Sequence, residues 1–225
     1  MIEMLNEDCM DVMACYPDNH FDLAIVDPPY GKKPTRNTDG LGVCRKTFES
    51  GSDKWDNKPN TEYWDELFRV TVNQIVWGAN YFLEHLTETN SFIVWDKVKT
   101  FGAFADCELA WTSHNSVSRI FKYTWNGMLQ QNMKNKEKRI HPTQKPVALY
   151  KWILQNYAKP NDKILDTHGG SGSICIACYD EGFDLTWTEL DKDYYDAAVK
   201  RFNNHKAQGQ LFKPEPKTVT QTELY

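Results

Sequence analysis

The chain has 225 residues, a formal net charge of −5, 40% apolar residues and 13% aromatic residues. These values are typical of a folded domain with one sizeable core, and they exclude a chain that is mainly disordered. The negative balance argues against a protein that coats nucleic acid without specificity. Because we find neither an apolar run of membrane-spanning length nor a basic-then-apolar leader, we expect a cytoplasmic protein without a membrane anchor.

The six cysteines are too few and too scattered for a disulfide scaffold at this length. Cys175 and Cys178 form a C-x-x-C pair, but they fall in a predicted helix and no second pair accompanies them. A structural zinc site needs four ligands. We therefore expect two buried thiols on one helical face and no metal centre.

Apolar runs and helical patterns alternate along the chain. The predicted strands lie at residues 2–5, 23–26, 74–77, 91–95, 108–111, 116–123, 163–166 and 184–189. The predicted helices or helical turns lie at residues 11–16, 61–72, 81–86, 147–157, 174–181 and 194–205, with Thr61 and Gly182 as caps. This alternation implies an α/β fold with an open, mainly parallel sheet that helices cover on both faces.

Three segments lack such patterns. Residues 31–60 combine glycine, proline and basic residues with little periodicity, which predicts a long functional loop. Residues 126–140 are polar and basic and predict a loop with a helical piece. We therefore expect one domain over residues 1–206, with recognition insertions at about 31–60 and 97–140, and a loosely held tail at 207–225.

The strand at residues 23–26 ends in Asp27-Pro28-Pro29-Tyr30. The two prolines have fixed φ and no amide hydrogen, so they stiffen the corner and leave its carbonyls available as acceptors. Tyr30 offers a ring beside these acceptors, which suits a flat heteroaromatic substrate that carries an amino group. For the two prolines alone, a stiff turn without a function is the simpler interpretation.

The strand at residues 163–166 ends at Asp166 and runs into a glycine-rich turn that opens a helix. Glycine allows close backbone approach to a ligand, and the helix start supplies amide donors, as a nucleotide-like ligand requires. Glu189 ends the next strand about twenty residues later, where a carboxylate can accept hydrogen bonds from ribose hydroxyls. The glycine spacing differs from G-x-G-x-x-G, which disfavours a nicotinamide oxidoreductase.

Four segments together resemble the amino-group DNA methyltransferases, which transfer a methyl group from S-adenosylmethionine to adenine N6 or cytosine N4. Residues 27–30 resemble their catalytic motif, and residues 166–172 resemble their D-x-F-x-G-x-G cofactor motif, with His168 where the family usually has phenylalanine. Residues 141–146 resemble the segment that closes over the methionine end of the cofactor, and residues 6–9 resemble the turn that meets its adenine. The catalytic motif precedes the cofactor motif, which is the permuted order of the beta class.

The resemblance spans nearly the whole chain and implies a Rossmann-like methyltransferase fold with a doubly wound, mostly parallel sheet. It implies catalytic roles for Asp27, Pro28, Pro29 and Tyr30. The implied cofactor-binding residues are Asp8, Cys9, Asp27, Thr143, Gln144, Lys145, Asp166, His168, Gly169, Gly170, Ser171, Gly172, Glu189 and Leu190. A turn-capping role for Asp8 and a solvated position for Lys145 are the structural alternatives.

Basic residues crowd two segments, one directly after the suspected catalytic turn. A one-sided basic surface of this kind is typical of phosphate binding. The candidate DNA-binding residues are Lys32, Lys33, Arg36, Arg45, Lys46, Arg119, Lys122, Lys138 and Arg139. The expected partner is double-stranded DNA with the target base flipped out, and a homodimer is compatible with the sequence.

The resemblance also indicates a mechanism and a substrate. Asp27 and the Pro28 carbonyl would accept hydrogen bonds from the amino group of the base, and the methyl group would move by direct in-line displacement. An aspartate at the first motif position is usual in adenine enzymes, so we expect adenine N6 of DNA in a bacterial or phage protein. The alternatives are a cytosine-N4 methyltransferase and a non-catalytic subunit of the same fold that binds DNA or a partner.

Overall fold

The computed structural model describes residues 1–31, 57–98, 105–126 and 129–208. Its strands are β1 (Ile2–Leu5), β2 (Phe21–Val26), β3 (Thr71–Trp77), β4 (Phe92–Asp96), β5 (Cys107–Thr112), β6 (Arg119–Lys122), β7 (Trp125–Asn126), β8 (Leu129–Gln130), β9 (Lys163–Asp166) and β10 (Asp184–Thr188). Its helices are α1 (Cys9–Ala14), α2 (Thr61–Val70), α3 (Val147–Tyr157), α4 (Ser173–Glu181) and α5 (Lys192–Ala207), with a short 3₁₀ helix at Ala79–Tyr81. None of the helices in these ranges is both long and apolar enough to cross a membrane.

Eight strands form one sheet in the order β1-β10-β9-β2-β3-β5-β4-β6. Neighbours from β1 to β3 are parallel, whereas β5 runs antiparallel between β3 and β4. Because β5 is reversed, its first residues lie at the edge where β3 and β4 end, and Glu108 faces Trp95 in the register. The expected α/β fold with a mainly parallel sheet is confirmed. One strand, β5, runs in the opposite direction to its neighbours.

Alternate residues of β2 enter two separate cores, as the two-residue period of a strand requires. Leu23 and Ile25 pack in a cluster with residues of α3, α4 and α5. Ala24 and Val26 pack in a second cluster with residues of α1 and α2. Helices therefore cover both faces, as the alternation predicted, and the carboxyl ends of the central strands are left at one edge of the sheet.

Local sequence explains where α2 begins and which face it buries. Asn60 is the N-cap and accepts a hydrogen bond from the Tyr63 amide at 3.1 Å, so the predicted cap at Thr61 is wrong by one residue. Asparagine is among the best N-caps because its short side chain reaches the unpaired amides of the first turn. The buried residues Tyr63, Trp64 and Leu67 lie about one turn apart on the covered face.

Most of the predicted elements in the described ranges are found with shifted ends. The helix and strand predicted at 147–157 and 163–166 match α3 and β9. The helical piece predicted within residues 126–140 is wrong for the described part, where β7 and β8 form a two-stranded antiparallel hairpin. The tail beyond residue 208 and most of the loop predicted at 31–60 lie outside the described residues, so the domain limits stay a prediction.

Candidate active site

The carboxyl ends of β2, β9 and β10 meet at one edge of the sheet because these strands are parallel neighbours. Asp27 follows β2, Asp166 ends β9, and Glu189 follows β10. In open parallel sheets this edge is where ligands bind. The structure thus brings together the catalytic motif and the glycine-rich turn, which are more than a hundred residues apart in the chain.

The two oxygens of the Asp27 carboxylate have different partners. The Tyr30 hydroxyl donates to Oδ1 at 2.7 Å, and the Lys145 ammonium is in ion-pair contact with Oδ2. Pro28 is buried, and no described residue donates a hydrogen bond to its carbonyl. A carboxylate accepts about four hydrogen bonds, so Asp27 retains acceptor capacity beside the Pro28 carbonyl.

The Tyr30 ring is held by two neighbours. It stacks on Tyr81 with ring centres 4.6 Å apart, and a Cβ atom added at Gly78 would overlap the ring. Gly78 has φ +70°, which a residue with a side chain rarely adopts. Burial and the charge of Asp27 raise the pKa of Tyr30 far above its ordinary value, so its hydroxyl stays protonated as a donor.

Lys145 is 4% exposed, so the predicted alternative of a solvated lysine is wrong. Its ammonium lies 3.5 Å from Glu108 Oε2 in addition to its contact with Asp27, and 5.4 Å from the centre of the Trp77 ring. Burial alone would lower the pKa of Lys145, but the carboxylates of Asp27 and Glu108 outweigh it and raise that pKa. Lys145 is therefore a permanent cation beside the catalytic motif.

The turn after β9 is closely packed against its neighbours. The Asp166 Oδ1 atom accepts a hydrogen bond from the His168 amide at 3.1 Å, and a Cβ atom added at Gly169 would overlap the Trp187 indole. Gly170 and Gly172 both have positive φ, at +51° and +65°. Ser171 is buried, with its Oγ 3.1 Å from that of Ser173 at the start of α4.

Asp166 is a buried carboxyl group at the end of β9, 3% exposed. Burial is the main reason why its pKa rises to about 8, and the charges of Asp27 and Glu189 raise it further. No cationic side chain of the described residues forms an ion pair with it within 4 Å. A desolvated acid without a cation favours a cationic group of a ligand.

Glu189 lies across the turn from Asp166. Its two oxygens accept hydrogen bonds from the Gly170 and Asp191 amides, both at 2.8 Å, while burial raises its pKa. Leu190 beside it is 62% exposed. The Asn6 side chain donates to the Glu189 carbonyl at 2.8 Å and so ties the end of β1 to this corner. Asn6 lies in the turn at residues 6–9, but the sequence did not indicate this contact of its side chain with the backbone of Glu189.

The residues from the amino-terminal turn have local structural roles. Asp8 is the N-cap of α1 and accepts a hydrogen bond from the Met10 amide at 2.8 Å, which is the capping role named as its alternative. Cys9 begins that helix, and burial together with the Asp8 charge raises its pKa to about 12. The Cys9 thiol is therefore neutral at ordinary pH.

His168 belongs to a chain of hydrogen-bonding groups that reaches into α2. Its Nδ1 lies 2.9 Å from the Thr167 Oγ1, which lies 2.7 Å from the Tyr63 hydroxyl. Burial lowers the pKa of His168 to about 4, so its ring is neutral and flat where the family usually has phenylalanine. The apolar periodicity of α2 gave no sign that Tyr63 would take part in this contact.

Residues 143 and 144 differ in exposure. Thr143 is exposed, and its hydroxyl lies 3.0 Å from Nδ1 of His141. Gln144 is buried, and its side-chain amide contacts the backbone of Ile140 and Lys138. Gln144 thus fixes the segment before α3, and its polar side-chain atoms are used within that segment.

The candidate DNA-binding residues divide into two sets. Arg119 and Lys122 are exposed on β6, the edge strand of the sheet, and Lys138 and Arg139 are exposed in the segment before α3. Arg139 also donates to the Pro142 carbonyl at 2.6 Å. The residues that lie outside the described ranges are Lys32, Lys33, Arg36, Arg45 and Lys46.

The described ranges contain no group of three or more His, Cys, Asp or Glu residues that could hold a metal ion. Cys175 and Cys178 are both buried in α4, as expected for packed thiols. The groups that the described residues place at the edge are carboxylates, backbone amides, one ammonium group and aromatic rings.

Comparison with known proteins shows the family of this chain. The model of a family described as DNA methylase, of the N6 and N4 type, matches residues 84–200, just over half of the chain. The chain belongs to this DNA methylase family. It is an amino-methyltransferase of DNA by descent, so the family resemblance seen in the sequence is confirmed.

Individual proteins extend the likeness over most of the DNA methylase chain. It is 22% identical to the type II methyltransferase M.HinfI of Haemophilus influenzae, over 96% of this chain and 70% of that protein. The crystal structure of the M1.HpyAVI–SAM complex has a TM-score of 0.58 at 21% identity, covering 89% of this chain and all of that one. The PvuII DNA methyltransferase, described as cytosine-N4-specific, has a TM-score of 0.60 at 12% identity, covering 89% and 86%. These structures share the Rossmann-like fold.

Proposed function

We propose that this DNA methylase transfers a methyl group from S-adenosylmethionine to N6 of an adenine that is flipped out of double-stranded DNA. The observation that carries the proposal is the position of Asp27 and the Pro28 carbonyl beside the turn after β9, at the same edge of the sheet. This arrangement puts acceptors for an amino group next to a turn suited to a nucleoside ligand.

The residues at the edge fit the cofactor. A backbone cradle without side chains is present at Gly169 and Gly170, and a Cβ atom at Gly169 would overlap Trp187. Asp166 is a buried acid without a cationic partner among the described side chains, which suits the ammonium group of the methionine portion. Glu189 has both oxygens at the rim of the turn, where ribose hydroxyls can donate to them.

The residues that the resemblance implies for cofactor binding divide into groups by their position. Asp166, Gly169, Gly170, Ser171, Gly172 and Glu189 form the cradle, with the neutral His168 ring beside it. Asp8, Cys9 and Leu190 surround the corner where the adenine would lie, and Thr143 is exposed in the segment before α3. When bound, S-adenosylmethionine supplies an activated methyl group on a sulfonium.

The chain itself supplies orientation and acceptors. Asp27 and the Pro28 carbonyl accept hydrogen bonds from the two N–H groups of the exocyclic amine, which favours a more tetrahedral nitrogen with its lone pair directed at the methyl carbon. Pro29 and Pro28 keep this corner rigid. Tyr30 fixes Asp27 through its hydroxyl, and because Tyr81 covers one of its ring faces, the base would stack on the other.

DNA binding would come from exposed basic residues of two segments. Lys138 and Arg139 lie in the segment that leads to Lys145, and Arg119 and Lys122 lie on β6. Phosphate contacts of this kind position the duplex and offset the few kcal/mol, on the order of 2–4, that extrusion of a base costs. On sequence grounds alone, we propose five further contacts: Lys32, Lys33, Arg36, Arg45 and Lys46.

Adenine is preferred because the motif begins with Asp27, the usual residue in adenine enzymes, whereas beta-class cytosine-N4 enzymes more often have serine there. Cytosine N4 is the second candidate, since the fold is shared with a cytosine-N4-specific enzyme. Both bases present an exocyclic amine to the same acceptors, so the mechanism is common to them.

The test is to replace Asp27 by alanine and to measure methyl transfer and cofactor binding side by side. We expect Asp27→Ala to reduce transfer to DNA by at least about a thousandfold, because the acceptor that activates the amine is lost. Binding of S-adenosylmethionine, measured by calorimetry, should survive. Normal transfer by the variant would contradict the role of Asp27, and a wild-type chain that binds cofactor but never methylates DNA would favour the non-catalytic subunit.

A further inference from the structure

A row of four alternating charges begins at Asp27 and joins four parts of the chain. Lys145 contacts Asp27 on one side and lies 3.5 Å from Glu108 Oε2 on the other, and the Lys97 ammonium lies 2.5 Å from Glu108 Oε1. The row is therefore anion, cation, anion, cation. Its members come from the end of β2, the segment before α3, the start of β5 and the end of β4.

Protein covers most of the row, and Glu108 is its most exposed member. The side chains of Lys145, Asp27 and Lys97 are 3%, 16% and 16% exposed, and that of Glu108 is 30% exposed. The Lys145 ammonium lies 5.4 Å from the Trp77 ring centre, and that of Lys97 lies 5.0 Å from the Trp95 ring centre. Charges in such surroundings are weakly screened, so each one acts strongly on its neighbours.

Glu108 is ionised within this row. Burial would raise its pKa, but the ammonium groups of Lys145 and Lys97 outweigh burial and hold that pKa below its ordinary value. Lys145 is thus in contact with two carboxyl groups, that of Asp27 and the ionised one of Glu108. An ammonium group has three N–H donors, so a contact with Glu108 leaves fewer of them for Asp27.

We infer that Glu108 is a positioning residue for methyl transfer: it shares the Lys145 ammonium with Asp27, so that Asp27 keeps the acceptor strength needed for the amine of the base. This inference rests on the proposed function of Asp27. Glu108 acts on Asp27 through the Lys145 ammonium that both carboxylates contact. The antiparallel direction of β5 is what delivers this carboxylate to the reactive edge.

The test uses Glu108→Gln, which keeps the size of the side chain and removes its charge. The Lys145 ammonium should then pair with Asp27 alone, and the rate of methyl transfer at saturating cofactor and DNA should fall about 10- to 100-fold. The dissociation constant for S-adenosylmethionine should change by less than about threefold. A matched control is Lys151→Gln, which removes a 2.7 Å ion pair to Asp180 on α4, and it should leave the rate unchanged.

A second readout does not depend on catalysis. The ammonium signal of Lys145 in a proton–nitrogen NMR spectrum, assigned with Lys145→Met, should shift in Glu108→Gln and stay in place in Lys151→Gln. An unchanged signal, or an unchanged rate in Glu108→Gln, would overturn the positioning role. Loss of cofactor binding with a normal rate at saturation would instead assign Glu108 and Lys145 to the cofactor. Absence of activity in the wild-type chain would contradict the proposed function itself, and the NMR shift would still report on the shared ammonium.

Discussion

At the scale of single residues, Asp166 is the most deeply buried of the acids beside the glycine-rich turn. The folded chain holds its proton with a pKa of about 8, compared with an ordinary value of 3.8. The folded state therefore binds more protons than the unfolded state between these values. Stability from this group is fully present below about pH 4 and is lost as the pH rises through about 8.

We predict that Asp166→Asn makes the free energy of unfolding less dependent on pH between about pH 5 and about pH 8, because the buried group no longer ionises. Urea unfolding at several pH values measures this. The same variant should bind S-adenosylmethionine much more weakly than the wild type. In the wild type, cofactor binding should strengthen toward pH 8, since an ionised Asp166 attracts the cationic ligand. Binding that weakens over this range would contradict the assignment of Asp166.

The acids at the strand ends can be recognised from the sequence, but the side chains that contact them cannot. Asp27, Asp166 and Glu189 each follow an apolar run, which is visible in the sequence. Glu108 also begins an apolar strand, but its importance depends on β5 being antiparallel, and hydrophobic periodicity does not carry strand direction. The same limit applies to Tyr63, whose apolar helical face predicts core packing alone.

At the scale of elements, the turn from β9 into α4 depends on close packing against β10. Gly169 lies against the Trp187 indole, and an added methyl group has no space there. The opposite end of α4 is different, because Gly182 has φ +82° but a Cβ atom added there would meet no atom within 4 Å. Gly169 is therefore required for close packing, whereas Gly182 is required for its left-handed backbone conformation.

We predict that Gly169→Ala weakens cofactor binding at least tenfold and destabilises the fold by about 1–3 kcal/mol, because Trp187 or the turn must move. Gly182→Ala is the control: it should cost about 1 kcal/mol through backbone strain and leave cofactor binding intact. Calorimetric titration and thermal unfolding of both variants measure the two effects. Equal binding by both variants would show that the turn does not need its close fit to Trp187.

Sequence predicted elements best where local signals agree. The helix α3 lies between Pro146 and a turn, and the strand β9 follows Pro160-Asn161-Asp162, so their limits are clear. The hairpin of β7 and β8 was missed because each strand has only two residues, too short for a period to show. At α2, Asn60 and Thr61 are both good caps, and only the geometry of the Tyr63 amide separates them.

At the scale of the whole molecule, the permuted order of motifs has a simple spatial meaning. The strands β2 and β9 are neighbours in the sheet although the catalytic motif precedes the cofactor motif in the chain. The site therefore depends on which strand ends are neighbours in the sheet. A circularly permuted chain can form the same edge of the sheet with its motifs in another order. The resemblance in the sequence captured this because its two motifs each follow a buried strand.

We claim that this chain methylates an exocyclic amine in DNA, and the decisive measurement is nucleoside mass spectrometry of plasmid DNA from cells that express it. DNA from cells with the Asp27→Ala variant is the control. We expect N6-methyladenine with the wild-type chain and none with the variant. N4-methylcytosine would keep the mechanism and replace the base. Neither modified nucleoside, from a wild-type chain that binds S-adenosylmethionine, would contradict the claim.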